Sequence, residues 1–255
     1  MVLESYLRER LARKPLLVMT HVVCGYPSFE DNLRALAVMA EFDVDLVELQ
    51  FPFSEPSADG PRFVRANQLA IEHGTHTRDC FAFMARAAQR FPFKLLMMGY
   101  YNTVFKMGEA AFVEQLAAAG GVGLIVPDLP LEESGELRRL AAERDLDPIL
   151  LLAPTNTDAR LAQLGAAARG FVYAVARKGV TGSKTAMDAE LDSFIGRCRR
   201  VTQVPVGVGF GVSSREDIEF LRGRADIAII GTAALAAWEE RGEAGLRAFL
   251  AELLG

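Results

Sequence analysis

The segment that is most informative about the fold class is residues 204–214, with the sequence VPVGVGFGVSS. An apolar run, Val204–Val208, leads directly into glycines, and the same arrangement recurs at residues 227–233, IAIIGTA. Short, nearly continuous apolar runs are typical of strands that are covered on both faces, as in a parallel sheet. Barrels of eight β/α units often hold a phosphate in the loops after strands seven and eight. The two stretches therefore predict the last two strands of such a barrel.

Similar apolar runs alternate with amphipathic segments along the whole chain of 255 residues. The eight predicted strands are Leu16–Val23, Leu46–Gln50, Lys94–Gly99, Gly123–Val126, Ile149–Leu152, Phe171–Ala176, Val204–Val208 and Ile227–Ile230. The predicted helices are Glu30–Glu41, Thr77–Arg90, Glu109–Ala119, Glu133–Arg144, Ala159–Ala168, Ala189–Arg200, Arg215–Leu221 and Ala244–Leu254, with an extra helix around Val64–Glu72. We therefore expect an α/β fold, a single eight-stranded (β/α)8 TIM barrel with an N-terminal helix, as one domain over residues 1–255.

An open, doubly wound sheet is the alternative architecture. It is disfavoured because the first predicted strand is followed by Cys24-Gly25-Tyr26-Pro27 and not by a dinucleotide-binding glycine pattern. Closure into a barrel also removes the exposed sheet edges that an open sheet would leave.

Composition excludes several functions. The net charge is -5 and no basic block is present, which argues against nucleic acid or an anionic membrane as a partner. The N-terminal segment, Met1–Lys14, is a charged amphipathic helix and not a signal peptide, and no run of apolar residues is long enough to span a membrane. The three cysteines and three histidines show no metal-binding spacing, so we expect reduced thiols, no metal and a cytoplasmic location.

A carboxylate pair lies at the end of the second predicted strand. Side chains alternate along a strand, so Val47 and Leu49 suit the helix-facing side and Glu48 points into the barrel. Burial there raises the pKa of a carboxyl and lets it transfer protons near neutral pH. Asp59 follows in a loop. Taken alone, Glu48 is more often a member of a structural ion pair than a proton-transferring group, and Asp59 is more often a turn residue.

Glycine-bearing loops follow three later strands. The loops after strands seven and eight, residues 207–214 and 230–233, offer backbone N–H groups and a helix N-terminus to a phosphate. A third segment, Gly179–Gly182, is either a mobile loop over a ligand or a plain turn. Together these features indicate a phosphate-binding barrel with a proton-transferring carboxylate. These features alone do not distinguish among the isomerases, epimerases, synthases and lyases that bind phosphorylated substrates in such barrels.

At these residues the sequence resembles the tryptophan synthase alpha chain family. Matching motifs occur in the family's order over nearly the whole chain. They are the ELxxPFSxPxADGP pattern at residues 48–61, MGYYN at 98–102, GLIVPDLP at 123–130, APT at 153–155, GFVY at 170–173, GVTG at 179–182 and VGFG at 208–211. The combination is far more specific than any one motif.

The resemblance implies a retro-aldol cleavage of indole-3-glycerol phosphate to indole and glyceraldehyde 3-phosphate, in tryptophan biosynthesis. Glu48 matches the residue that handles protons at indole C3, and Asp59 the residue that stabilises the cationic intermediate at the indole nitrogen. Thr181 matches a loop residue that closes over substrate. The full set of implied substrate-binding positions is Tyr173, Thr181, Gly182, Gly211, Gly231, Thr232, Phe210 and Tyr100.

The resemblance also implies a partner, the tryptophan synthase beta chain, in an alpha2-beta2 complex. Pro52, Phe53, Glu55 and Asn102 would contribute to that interface, with the apolar side chains of the segment 100–105 as further candidates. No cofactor is expected in this chain, because pyridoxal phosphate belongs to the beta partner.

Some positions depart from the family pattern. Gln50 stands where the family usually has Gly, and we expect its amide either to hydrogen-bond Glu48 or to reshape the indole pocket. His21 replaces a usual Phe, Glu55 a usual Asp, and Val122 a common Asp. These departures leave open a catalytically weak, regulatory alpha-like paralogue that binds a phosphate ligand and modulates a beta chain.

Two enzymatic alternatives fit the sequence less well. An indole-glycerol-phosphate synthase would need an inward-facing strand lysine, and Lys94 is at the wrong end of its strand. A metal-dependent epimerase would need histidines at strand ends, and only His21 qualifies.

Overall fold

The computed structural model describes residues 2–176 and 184–255. Nine parallel strands are present in these ranges. They are β1 (Leu17–Val23), β2 (Leu46–Gln50), β3 (Lys94–Met98), β4 (Gly121–Ile125), β5 (Asp147–Pro148), β6 (Leu150–Leu152), β7 (Val172–Val175), β8 (Val206–Gly209) and β9 (Ile227–Ile230).

The strands form a barrel with eight positions. The hydrogen-bonded order is β5-β4-β3-β2-β1-β9-β8-β7-β6, so β5 and β6 are the two ends of the sheet. Only Ile149 separates them in the chain, and its amide donates to the carbonyl of Leu124 on β4 (2.8 Å), while Leu150 pairs with Val172 on β7. One strand therefore changes partner halfway along, and β5 and β6 together are the fifth barrel strand. The predicted TIM barrel is confirmed, and the open sheet is excluded.

Helices surround the sheet. They are α1 (Val2–Leu11), α2 (Phe29–Glu41), α3 (Pro61–Glu72), α4 (Thr77–Arg90), α5 (Tyr101–Met107), α6 (Glu109–Ala118), α7 (Gly135–Glu143), α8 (Asp158–Ala167), α9 (Lys184–Val201), α10 (Arg215–Leu221) and α11 (Thr232–Leu254). The bounds of β2, α4, α10 and β9 match the predictions, and most other ends differ by one to three residues.

Two helical segments were absent from the prediction. The short α5 is rich in aromatic and β-branched residues, which have low helix propensity, so its sequence pattern is weak. The prediction for the last helix began at Ala244, whereas α11 begins at Thr232 and is interrupted by non-helical backbone at Arg241 and Gly242. The missed first part of α11 matters, because its N-terminus lies directly after β9.

Side-chain alternation divides the core into two layers. Residues such as Val18, Val47 and Leu49 pack outward between the sheet and the helices. Inside the barrel, Met19 and Leu46 pack with Leu3 and Leu7 of α1. The predicted N-terminal helix therefore fills the interior at the N-terminal end of the strands, and the opposite end is left for a cavity.

Among the described residues, no helix is both long and apolar enough to cross a membrane.

Candidate active site

A cavity of about 210 Å³ opens at the C-terminal ends of the barrel strands. Its lining combines two carboxyl groups, a histidine, a tyrosine, several apolar side chains and a set of glycines. The residues are His21, Glu48, Ala58, Asp59, Gly60, Phe63, Met98, Ile125, Pro127, Leu151, Tyr173, Val175, Gly209, Gly211, Ile229, Gly231 and Thr232. An apolar wall with a few polar groups is typical of a small-molecule site.

Glu48 lies inside the barrel, as the alternation predicts, and is 2 % exposed. Its Oε2 atom has no hydrogen-bond partner within the described residues. Burial raises the pKa of the Glu48 carboxyl; His21 opposes this rise, and the charge of Asp59 adds to it. A carboxyl with a raised pKa can carry a proton at neutral pH and deliver it to a substrate.

Asp59 is held in its loop by two donors. The Tyr100 hydroxyl donates to Asp59 Oδ2 (2.9 Å), and the Gln50 amide donates to the same atom (2.7 Å). The Tyr100 hydroxyl also accepts a hydrogen bond from the backbone N–H of Ala58 (3.0 Å). The carboxylate is therefore fixed at the cavity wall, where it can face a developing positive charge.

Gln50 does not hydrogen-bond Glu48, so the first of the two predictions for this residue is wrong. Glu48 and Gln50 point to the same side of β2 but lie one layer apart. The Gln50 amide instead reaches Asp59, and its Oε1 lies 2.9 Å from His21 Nε2. The residue therefore connects Asp59 with His21.

Tyr173 of β7 lines the cavity, and burial raises the pKa of its hydroxyl, with further contributions from Glu48 and Asp59. Its ring needs the space that Gly209 leaves. A Cβ atom at Gly209 would lie 2.8 Å from Cε2 of Tyr173. The glycine at the end of β8 therefore leaves room for the Tyr173 ring in the cavity wall.

The predicted phosphate positions cluster at one side of the cavity. Gly211, Gly231 and Thr232 all line it, and Gly231 and Thr232 start α11. Gly211 has a φ of +88°, which only glycine adopts without strain. A helix N-terminus beside glycine backbone presents N–H groups and the positive end of the helix dipole, an arrangement that suits an anion.

The side chains of two predicted substrate-binding residues, Phe210 and Tyr100, are not part of the cavity lining. The side chain of Phe210 packs against Phe220 in the layer between sheet and helices and is not part of the cavity lining. Tyr100 is 1 % exposed, stacks on Phe53 and reaches the cavity only through Asp59. The physical reasons differ: the Phe210 side chain points outward between sheet and helices, whereas Tyr100 is buried among inward-facing residues.

Thr181 and Gly182, the predicted loop positions, lie outside the described residues.

The predicted partner residues lie on the surface beside the cavity mouth. Glu55 and Asn102 are exposed, and Pro52 and Phe53 are half-buried. Among the apolar candidates of α5, Phe105 is 67 % exposed, whereas Val104 is fully buried and therefore cannot contact a partner.

Sequence reasoning missed part of the apolar wall. Phe63 of α3 stacks on the His21 ring with centroids 4.3 Å apart, and Met98 and Ile125 line the cavity from β3 and β4. The period of two along β3 could have identified Met98, which lies beside Gln50 in the ladder. Phe63 follows from no local pattern, because α3 reaches the cavity only through the tertiary fold.

No group of three or more potential metal ligands occurs among the residues that the structure describes.

The barrel is closed and has eight strand positions. At the carboxyl ends of its strands lie a buried carboxyl with a raised pKa and a helix N-terminus that suits an anion. This combination is typical of TIM-barrel enzymes that act on phosphorylated substrates. Comparison with known proteins makes this class specific. The family model for the tryptophan synthase alpha chain matches residues 7–252. The chain belongs to the tryptophan synthase alpha chain family.

Individual relatives agree with the family match. The tryptophan synthase alpha chain of Desulforapulum autotrophicum is 44 % identical over 99 % of this chain and 100 % of its own length. A tryptophan synthase structure from M. tuberculosis superposes with a TM-score of 0.90 at 34 % identity, covering 99 % of this chain and 96 % of that one. A tryptophan synthase complex from Pyrococcus furiosus gives 0.85 at 29 % identity, covering 94 % and 98 %.

The family's activity is a carbon–carbon lyase reaction, the cleavage of indole-3-glycerol phosphate in tryptophan biosynthesis. The alpha chain needs no cofactor, and pyridoxal phosphate is in the beta chain, with which the family forms a complex. The regulatory alternative is not favoured by these findings, and the synthase and epimerase alternatives are excluded by the family assignment.

Proposed function

We propose that Glu48 carries the proton transfers of indole-3-glycerol phosphate cleavage and that Asp59 stabilises the charge they create. The observation that supports this assignment most directly is the burial of Glu48 in the same cavity as Asp59, with its Oε2 atom free of any described hydrogen-bond partner. His21 Nδ1 lies 3.7 Å from that oxygen, which is beyond hydrogen-bond distance.

The first step is protonation of the indole ring. Protonated Glu48 gives its proton to C3, and the ring nitrogen takes up positive charge. Asp59, held by Tyr100 and Gln50, offsets this charge without having to reorganise.

The second step breaks the carbon–carbon bond. The Glu48 carboxylate removes the proton of the hydroxyl on the carbon attached to C3. The aldehyde C=O forms, the bond to C3 breaks, and its electron pair returns to the ring. Glu48 ends the cycle protonated, as it began, so one group serves as acid and then as base.

The phosphate of the substrate is assigned to the other side of the cavity. Backbone N–H groups at Gly211 and Gly231 and the hydroxyl of Thr232 would hold it at the start of α11. Tyr173 would contact the substrate beside Glu48. We further assign Thr181 and Gly182 to the loop that covers the bound substrate and excludes water, on the strength of the family motif alone.

We also propose that residues 1–255 act as one domain, in the cytoplasm, within an alpha2-beta2 complex. The Pyrococcus furiosus relative is described as a tryptophan synthase complex, which supports the partner. Pro52, Phe53 and Glu55 lie in the same loop as Asp59, and Asn102 lies on α5, so a partner bound to the loop could influence the site directly.

The test is indole release from indole-3-glycerol phosphate by the purified chain, with and without a tryptophan synthase beta chain. We expect release by the chain alone and acceleration by the beta chain. A rate of indole release that the beta chain does not change would refute the proposed coupling. The loop containing Glu55 would then be the first region to examine. Absence of release under both conditions, with ligand still bound, would refute the catalytic assignment.

A further inference from the structure

His21 is placed directly beside Glu48 by the register of the barrel. The two residues are Cα partners in the β1–β2 ladder, and both point inward. His21 Nδ1 lies 3.7 Å from Glu48 Oε2, the oxygen that has no described hydrogen-bond partner. Both side chains are almost fully buried, with 9 % and 3 % exposure.

The other ring nitrogen of His21 is engaged by Gln50. Asp59 can only accept when ionised, so the Gln50 amide nitrogen must face it, and Gln50 Oε1 must then face His21. An amide oxygen only accepts, and His21 Nε2 therefore carries the hydrogen of that 2.9 Å contact. In neutral His21 this leaves a lone pair on Nδ1, directed at Glu48.

We propose that His21 is the proton partner of Glu48, and that Gln50 fixes its tautomer while joining it to Asp59. Glu48, His21, Gln50 and Asp59 then form one connected chain across the cavity wall. His21 acts here as a positioning residue. This inference rests on the role proposed above for Glu48 and adds a group that the family pattern, with Phe and Gly at positions 21 and 50, does not provide.

The proton balance is simple. One proton lies between Glu48 Oε2 and His21 Nδ1, bound to the oxygen or, with transfer, to the nitrogen. When substrate binds, the proton on Glu48 goes to indole C3, and the hydroxyl proton later returns to Glu48. His21 therefore neither gains nor loses a proton over a complete turnover, and it controls how much of the enzyme starts with Glu48 protonated.

Other ionisable groups face His21 from the surrounding elements. They are Glu48 on β2, Asp59 in the following loop and Tyr173 on β7, with Tyr26 and Asp31 in a smaller cavity that His21 also lines. Phe63 of α3 covers the ring face and is apolar. The pH dependence of activity is therefore a property of the whole cluster around Glu48 and not of one isolated group.

The first test is the pH dependence of kcat for indole release by His21→Phe. Phenylalanine preserves the ring that stacks on Phe63 but cannot bind a proton. The profile of the variant should move to higher pH relative to wild type, because the interaction with His21 that lowers the pKa of Glu48 is lost. We expect kcat near neutral pH to change by about ten-fold, the effect of one pKa unit on the fraction of an acid.

The matched control is His73→Phe, which removes an exposed histidine at the end of α3 and should leave the profile unchanged. An unchanged profile in His21→Phe would overturn the proposal.

A second test does not depend on a folded His21 variant. The chain has only three histidines, and His73 and His76 are exposed, so nitrogen NMR of labelled imidazoles can resolve His21. Neutral His21 should carry its hydrogen on Nε2, and its Nδ1 signal should follow the ionisation of Glu48. In Gln50→Leu, the hydrogen of neutral His21 should no longer be confined to Nε2. In Glu48→Gln, the Nδ1 signal of His21 should no longer show this response. A hydrogen on Nδ1 in the wild-type protein would contradict the proposal.

Two variants distinguish a failure of the function proposed for Glu48 from a failure of the inference about His21. If Glu48→Gln keeps full activity, the proposed function of Glu48 fails. If Glu48→Gln is inactive while His21→Phe has the wild-type profile, only the inference about His21 fails.

Discussion

A buried carboxyl oxygen without a partner normally costs about 1–3 kcal/mol in stability. Glu48 Oε2 is such an atom, whereas the neighbouring Asp59 is held by two donors. The contrast separates the two roles at the scale of the residue. It supports the proposed roles, in which the fixed Asp59 offsets charge and Glu48 exchanges a proton with the substrate. The sequence predicted both residues, but the contacts of Gln50 could not be predicted because they depend on how far the 51–59 loop folds back over β2.

The raised pKa of Glu48 predicts a pH dependence of folding. A carboxyl with a higher pKa in the folded state makes the folded protein bind more protons than the unfolded chain. Its favourable contribution is complete below the unfolded pKa and is lost as pH rises through the folded pKa. Urea denaturation should therefore show Glu48→Gln gaining stability relative to wild type as pH rises above the ordinary glutamate pKa of 4.5. A constant difference as pH rises would contradict the raised pKa.

Tyr100 is predicted to act through Asp59. Tyr100→Phe removes the hydroxyl that donates to Asp59 and accepts from Ala58 while keeping the ring that stacks on Phe53. We expect kcat for indole release to fall by roughly ten-fold and the free energy of unfolding by about 1 kcal/mol. Steady-state kinetics and urea denaturation measure the two effects. Tyr101→Phe is the control, since the Tyr101 hydroxyl contacts Glu109 at the surface; equal losses in both variants would refute a specific role for Tyr100.

At the scale of the element, the site depends on where strands end and helices begin. The apolar runs predicted the strands, and β9 was predicted to the residue. The first part of α11, which follows directly, was not predicted, because the tract beginning at Thr232 has little amphipathic character and a glycine interrupts it at position 242. The predicted glycines Gly211 and Gly231 nevertheless line the side of the cavity that is proposed to bind the phosphate, where close approach of the backbone favours glycine whatever helix follows.

Gly211 provides the prediction at this scale. Its φ of +88° makes Gly211→Ala strained, although no atom lies within 4 Å of the added Cβ. Gly74 has a φ of +84° and similar free space but lies in the turn between α3 and α4. Each alanine should cost about 1–2 kcal/mol of stability. Only Gly211→Ala should also raise KM for indole-3-glycerol phosphate. An equal rise in KM for Gly74→Ala would contradict the assignment of Gly211 to the phosphate site.

At the scale of the whole molecule, the barrel separates stability from chemistry. Helix α1 and the lower layers of inward side chains fill one end of the barrel, and the cavity occupies the other. The count of eight strand positions could be predicted from the sequence. The division of the fifth position into β5 and β6 could not, because it arises where the chain changes partner between β4 and β7.

The surface beside the cavity mouth carries the last structural prediction. Phe105 is the most exposed of the large apolar side chains described, at 67 %, and it lies on α5 next to Asn102. Phe105→Ser should leave indole release by the free chain unchanged and weaken its acceleration by a beta chain. Ile71→Ser, at another exposed apolar position on α3, is the control. Equal acceleration of both variants would contradict the proposed interface.

The most direct test of the central claim is the rate of indole release by Glu48→Gln, measured together with the affinity of the same variant for indole-3-glycerol phosphate. Glutamine keeps the shape of Glu48 but cannot give or take the proton, so we expect kcat to fall by at least roughly 100-fold, the lower end of the effect of a general acid–base group. Binding should be retained, because the phosphate side of the cavity is untouched. Turnover close to that of the wild-type chain would contradict the account.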